Sequence, residues 1–199
     1  NLRQGSVTAI EADDATFDLI VSFETIEHLL EQERMLDEFR RVLKPDGLLV
    51  ISSPEREAYN ADATEPNPYH VRELDRQEFL ALLQSRFSAV QLYGQKLAFH
   101  SLLWRIDSRG GQAQSMLLNP DSLAIREGYD SAPIYHLAIC AGNPDQLPTL
   151  PDLSLFADEQ ASVYSHYNAE IDRLIRADHR IIELERELAA LKADRTERQ

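Results

Sequence analysis

Two short apolar runs frame the first part of the chain. Phe17-Asp18-Leu19-Ile20-Val21-Ser22-Phe23 and Leu48-Leu49-Val50-Ile51-Ser52-Ser53 are each of strand length. Their hydrophobicity is continuous rather than alternating, which predicts strands buried on both faces of a parallel sheet covered by helices. Between them Met35, Leu36, Phe39, Val42 and Leu43 recur at i, i+1, i+4, i+7 and i+8, one face of a helix. Lys44-Pro45-Asp46-Gly47 then puts Pro at the second and Gly at the fourth position of a type I turn. Strand, helix, turn and strand in about 35 residues predict a βαβ crossover unit.

The alternation continues downstream. Asp75 and Glu78 have capping-box spacing, and Phe79, Leu80, Leu82 and Leu83 supply the buried face of a second helix. Ala89 to Gly94 reads as a strand, and Ile134 to Cys140 as the last strand of the sheet. The mixed stretch from Lys96 to Ser131 predicts a helix around His100 to Ile106, a break at Gly110-Gly111, and a lid or substrate-side insertion. Pro144, Pro148 and Pro151 mark a linker, 143–167. Beyond it Leu174, Ile181 and Leu188 fit heptad position a, with Ala177, Leu184 and Leu191 at d. This predicts a coiled-coil helix over 168–199 that pairs with a copy of itself or with another helix.

Composition narrows the function. A formal charge of −14 argues against nucleic acid or an anionic membrane as a bulk partner, because phosphate binding needs a basic face. The segment 170–199 holds eight acidic and seven basic residues, so nearly all of that charge belongs to the body. No apolar run approaches the roughly 20 residues of a membrane helix. The single cysteine, Cys140, forms no intramolecular disulfide and no metal cluster, so a reducing cytoplasm is the natural setting. The opening Asn1-Leu2-Arg3-Gln4-Gly5 carries neither an initiator Met nor a signal-peptide pattern, which predicts that the polypeptide begins further upstream.

The run Phe17 to Leu29, the helix from Met35, and the turn into Leu48 to Ser52 together resemble the fourth strand, following helix and fifth strand of class I S-adenosylmethionine (SAM)-dependent methyltransferases. The likeness is to the type 11, ubiquinone-biosynthesis-like branch and covers residues 1–142. Gln4 to Ile10 resembles the segment after the family's third strand that borders the adenine. The resemblance implies an α/β, partial Rossmann-like sheet running from the end of strand three to strand seven. SAM is the implied cofactor, and the implied acceptor is a small molecule or a glycan. Asn67 to Leu74 is similar to strings in methyltransferases of surface-polysaccharide biosynthesis, a narrower likeness.

The chain departs from the family in one important respect. Only seven glycines are present and no G-x-G-x-x-G occurs, so the glycine-rich loop that lets backbone approach the cofactor has no counterpart. The chain as it stands is expected to bind SAM poorly, and the longer parent to bind it. A smaller departure is Ser6, where many relatives carry Asp.

By resemblance, Ser22, Phe23 and Glu24 end a strand beside the methionine moiety of the cofactor, where open α/β sheets place ligands. Ser6, Val7 and Thr8 would border the adenine. Methyl transfer from a sulfonium needs alignment first and a base only for acidic acceptors such as hydroxyls. His28, in the Glu27-His28 pair, and His70, in Asn67-Pro68-Tyr69-His70, are the candidate bases or acceptor contacts. His28 could instead be a helix-start histidine satisfied by a nearby backbone group. His100 and His136 read as packed side chains. Two functions stay open: an enzyme presented in part, and a non-catalytic methyltransferase-like scaffold that oligomerises through its tail.

Overall fold

The computed structural model describes residues 2–156, apart from 62–64, 66, 99, 102, 104, 108–113, 120 and 130, and in the tail 166, 167, 169–171, 173–182 and 184. In chain order the elements are β1 (Phe17–Ser22), α1 (Gln32–Val42), β2 (Leu43–Pro54), α2 (Arg56–Asn60), α3 (Arg76–Gln84), β3 (Ala89–Gln95), β4 (Met116–Leu118), β5 (Ile125–Glu127) and β6 (Tyr135–Ala141). A 3₁₀ turn, Ile26–His28, lies between β1 and α1. The main sheet has the order β1-β2-β6-β3. β1 and β2 are parallel, and β6 runs antiparallel to both of its neighbours. The strand read as last in sequence is therefore interior, slotted between β2 and β3. A separate hairpin pairs β4 with β5.

The crossover unit forms as its apolar spacing dictates. Met35, Leu36, Phe39 and Val42 of α1 are buried, and Glu31 at its N-cap makes no side-chain capping bond. Burial wins that comparison: each such side chain contributes roughly 1.5–3 kcal/mol relative to exposure, against about 1 kcal/mol for a cap. The turn after α1 takes a different form from the one expected. Leu43 already pairs with Phe17, and the next regular pair is Leu48 with Leu19, so Lys44–Gly47 is an excursion within β2. A β-carbon on Gly47 would lie 2.9 Å from Leu43 Cδ2 and 3.0 Å from the Phe17 carbonyl oxygen, which explains a glycine there.

α3 carries the predicted capping box. The Asp75 side chain accepts from the Gln77 and Glu78 amides, and Glu78 accepts from the Asp75 amide. Phe79 and Leu83 of α3 join Met35, Leu36 and Phe39 of α1 with Leu49, Ile51, Ala138 and Cys140 of the sheet in one core. Burial pushes the Cys140 thiol up to about 12, so it packs as a small apolar group.

Three expectations need correction. β1 is not buried on both faces: Leu19 and Val21 are about half exposed (53% and 54%), because among the described residues nothing covers the face they point from. The described residues of 96–107 form no helix, and His100 is exposed rather than packed. Gly110 and Gly111 lie outside the described residues. His136, by contrast, is buried in β6 and stacks on Phe79 at 6.2 Å between ring centres, and burial lowers its pKa.

Residues 1–149 form one compact unit and 150–199 another. In the second, the described residues between 166 and 184 are helical, and Leu174, Ala177, Ile181 and Leu184 are exposed. Leu188 and Leu191, the remaining heptad positions, lie outside the described residues. No described helix is long and apolar enough to cross a membrane.

Candidate functional site

β1 delivers the chain to a strained corner. Ser22 is buried, Phe23 is exposed, and Glu24 has φ 46°, in the left-handed region that side chains other than glycine seldom occupy. Ser52 in β2 pins this corner from across the parallel pair. Its hydroxyl donates to Glu24 Oε1 at 2.6 Å and accepts from the Glu24 amide at 3.1 Å. The Glu24 carboxylate is thereby fixed at the carboxyl ends of two adjacent strands.

The 3₁₀ turn that follows is clamped to the loop 67–74. The Glu27 carbonyl accepts from the Val71 and Arg72 amides at 2.8 and 3.0 Å. Buried Gln32, in the first turn of α1, donates through Nε2 to the Ile26 and Arg72 carbonyls at 2.9 and 2.8 Å. This clamp brings His28 and His70 together, 42 positions apart in sequence, with ring centres 5.0 Å apart in an edge contact. His28 Nδ1 donates to the Tyr69 carbonyl at 2.7 Å, and His70 Nδ1 donates to the Glu73 carboxylate. Asn60, at the end of α2, holds the other Glu73 oxygen. Each histidine thus has Nδ1 engaged and, among the described residues, Nε2 without a hydrogen bond.

Glu27 sits behind them. Its side chain is 1% exposed, and among the described residues neither carboxylate oxygen has a hydrogen-bond partner. His28 Nε2 is 3.7 Å away, beyond hydrogen-bond reach. Burial pushes the Glu27 carboxyl above the usual carboxylate range; the proximity of its own backbone N–H opposes that shift, and the nearby Glu24 charge adds to it. One donor atom from each of Glu27, His28 and His70 lies within 4.8 Å of the other two. Tyr59 on α2 tilts against His70 at 5.1 Å and meets Tyr135 of β6 at 5.9 Å, giving the cluster an aromatic side. Burial first, and then the charges of Glu24 and Glu27, raise the Tyr135 hydroxyl pKa.

The other expected site residues lie in a different local structure. Ser6 and Thr8 close a small turn on each other, with Oγ and Oγ1 2.9 Å apart, and Val7 is half-buried. The segment after it is tied to α1: Glu38 accepts from the Ile10 amide at 2.8 Å, and Arg41 donates to the Ile10 and Ala12 carbonyls. Those bonds run to α1 and not to the histidine cluster.

Nothing in the sequence singles out Ser52, Tyr59, Glu73, Tyr135 or Gln32 by itself, and Glu27 stands out only as the neighbour of His28. The spacing of His70 and Glu73 is the one local signal that pointed to a pair. The others come from β2, α1, α2 and β6 and meet only through packing.

The sequence profile of the methyltransferase domain family matches residues 1–51. A protein of Mycolicibacterium smegmatis, named a probable S-adenosylmethionine-dependent methyltransferase, is 34% identical over 114 residues, which is 56% of this chain and 43% of that protein. A Mycobacterium tuberculosis protein named in the same way is 40% identical over 83 residues, covering 41% of this chain and 30% of its own length. The chain therefore spans less than half of the curated relatives it matches. Among solved structures, a SAM-dependent methyltransferase of Thermotoga maritima aligns with 18% identity and a TM-score of 0.46, over 70% of this chain and 62% of that one.

Proposed function

We propose that this chain, whose residues 1–51 match the methyltransferase domain family, forms the acceptor-side part of a class I SAM-dependent methyltransferase acting on an oxygen acceptor. The observation that carries the reading is the pairing of His28 and His70, each with Nε2 outside any hydrogen bond among the described residues, beside the strand ends that carry Ser22, Phe23 and Glu24.

Bound SAM would supply a methyl group already activated on a sulfonium. The chain's residues have the remaining tasks. Ser22, Phe23 and Glu24 form a wall for the methionine moiety, with Glu24 immobilised by Ser52. The turn of Ser6, Val7 and Thr8 serves the adenine side. An acceptor hydroxyl approaches the histidines, and one Nε2 takes its proton as the oxygen–methyl bond forms and the sulfur–methyl bond breaks. SAM, once bound, would give up its methyl group and keep the electron pair of the broken bond as a neutral thioether. The Tyr69 carbonyl and the Glu73 carboxylate hold the rings in the tautomer this requires. The acceptor is a small molecule or a glycan, and the aromatic side formed by Tyr59 and Tyr135 suits a sugar or other ring stacked on it. A role in surface-polysaccharide assembly accords with the string Asn67 to Leu74.

A second reading, a non-catalytic scaffold, draws on the exposed apolar positions of the tail helix. Calorimetric titration with SAM separates the two, using this chain and the longest polypeptide that contains it. Binding by the longer polypeptide, weakened by Glu24→Ala, is the expected result. Absence of binding by either would leave the scaffold.

A further inference from the structure

Three side chains converge beside the strand ends, and all three present acceptor atoms. Tyr69 offers a carbonyl and Glu73 a carboxylate, and both only accept, so the proton of each histidine resides on Nδ1. The Nε2 of neutral His28 and His70 is then a bare lone pair. Glu27 contributes a third acceptor, with both oxygens buried and unpartnered among the described residues. A buried carboxylate without a partner is expensive, and protonating it still leaves one hydroxyl donor among several acceptors. Convergent acceptors of this kind are what a cation requires.

We propose that Glu27, His28 and His70 form a binding site for a divalent transition-metal ion such as Mn²⁺, Co²⁺ or Zn²⁺. Two imidazoles and one carboxylate suit these ions better than Ca²⁺ or Mg²⁺, which prefer all-oxygen shells. Ligand atoms about 2.0–2.2 Å from a common ion lie roughly 3–4 Å apart. The donor atoms, all within 4.8 Å of one another, need only a small side-chain rotation to reach that spacing.

The surroundings fit the proposal. Each imidazole is oriented through its other nitrogen, one by a backbone carbonyl and one by a carboxylate, the usual outer support of a metal-bound histidine. Glu73 is itself anchored by Asn60. The His28 side chain is 41% exposed, so the site is open to solvent on that side and keeps positions for an exchangeable ligand. Three protein ligands with an open position are the pattern of a site that binds something besides the ion. The ion would occupy the same Nε2 lone pairs that take the acceptor's proton in the proposed methyl transfer, so ion binding and the histidine-base step exclude each other at any one moment, and the test reads ion binding rather than turnover.

The full chain, stripped with chelator, is titrated with Co²⁺ and followed by visible absorption, with Mn²⁺ binding read in parallel by electron paramagnetic resonance. One saturable site per chain is expected. Glu27→Gln and His70→Gln should each abolish it or weaken it more than about tenfold, and Glu73→Gln should weaken it by about tenfold through loss of orientation. Circular dichroism checks each variant for folding. Should Glu27→Gln not fold, His28→Gln, whose side chain is partly exposed, takes its place with the same loss of binding expected. Absence of saturable binding, or binding that survives unchanged in the variants, overturns the proposal.

Discussion

Ser52 illustrates how a single hydroxyl can hold a strained residue in place. Glu24 occupies a left-handed conformation that costs of order 1–3 kcal/mol in a side-chain-bearing residue. Ser52 offsets part of that by bonding both the amide and the carboxylate of Glu24. Ser52→Ala leaves the amide without its partner and the carboxylate short of one. The expected loss is about 1–3 kcal/mol, measured by urea denaturation. Ser52→Thr, which retains the hydroxyl, should lose less. An equal loss in both would mean that packing, not hydrogen bonding, is what Ser52 contributes. Glu27 and Gln32 act in the same way one turn later: the Glu27 backbone and the Gln32 side chain clamp the loop that carries His70, and among the described residues the Glu27 carboxylate makes no side-chain hydrogen bond.

At the scale of elements, the N-terminal segment depends on α1. Glu38 accepts from the Ile10 amide and pairs with Arg41, which in turn grips the Ile10 and Ala12 carbonyls. The Arg41 guanidinium and the Ile10 N–H hold the Glu38 carboxyl down at about 2, against an ordinary value of 4.5. A depressed acid contributes stability that is present above its unfolded value and lost as pH falls through its folded one. Docking of residues 4–12 on α1 should therefore weaken between about pH 4.5 and about pH 2. Amide hydrogen exchange at Ile10 followed across that window tests this, and Glu38→Gln should flatten the dependence. A profile unchanged by the substitution would assign the acid response to other carboxylates.

At the scale of the whole molecule, the main sheet presents an unpaired edge among the described residues. There β1 bonds only β2, and Leu19 and Val21 point from one face into solvent. Exposed apolar edges template association between chains. Leu19→Lys combined with Val21→Lys should reduce concentration-dependent light scattering and leave the fold intact, because neither side chain belongs to the core. Scattering that is undiminished would place the sticky surface elsewhere, the exposed apolar positions of the 166–184 helix being the next candidate.

Periodicity alone determined much of the fold. The 3.6-residue spacing of α1, the capping box of α3 and the apolar runs of β1, β2, β3 and β6 are local signals, because they depend on residues within a few positions of one another. The resemblance to class I methyltransferases lay in such local strings too, and His28 and His70 stood out within them. Tertiary structure decided the rest. Hydrophobicity cannot reveal what covers each face of a strand, so the exposure of β1 depended on what packs against it. Nor could it place β6 between β2 and β3, since pairing partners far apart in sequence are chosen by the whole sheet. The convergence of Glu27, His28 and His70 required the Gln32 clamp and the loop 67–74 to close across 40 residues. Chemistry distributed over separate elements becomes a site only when packing brings those elements together.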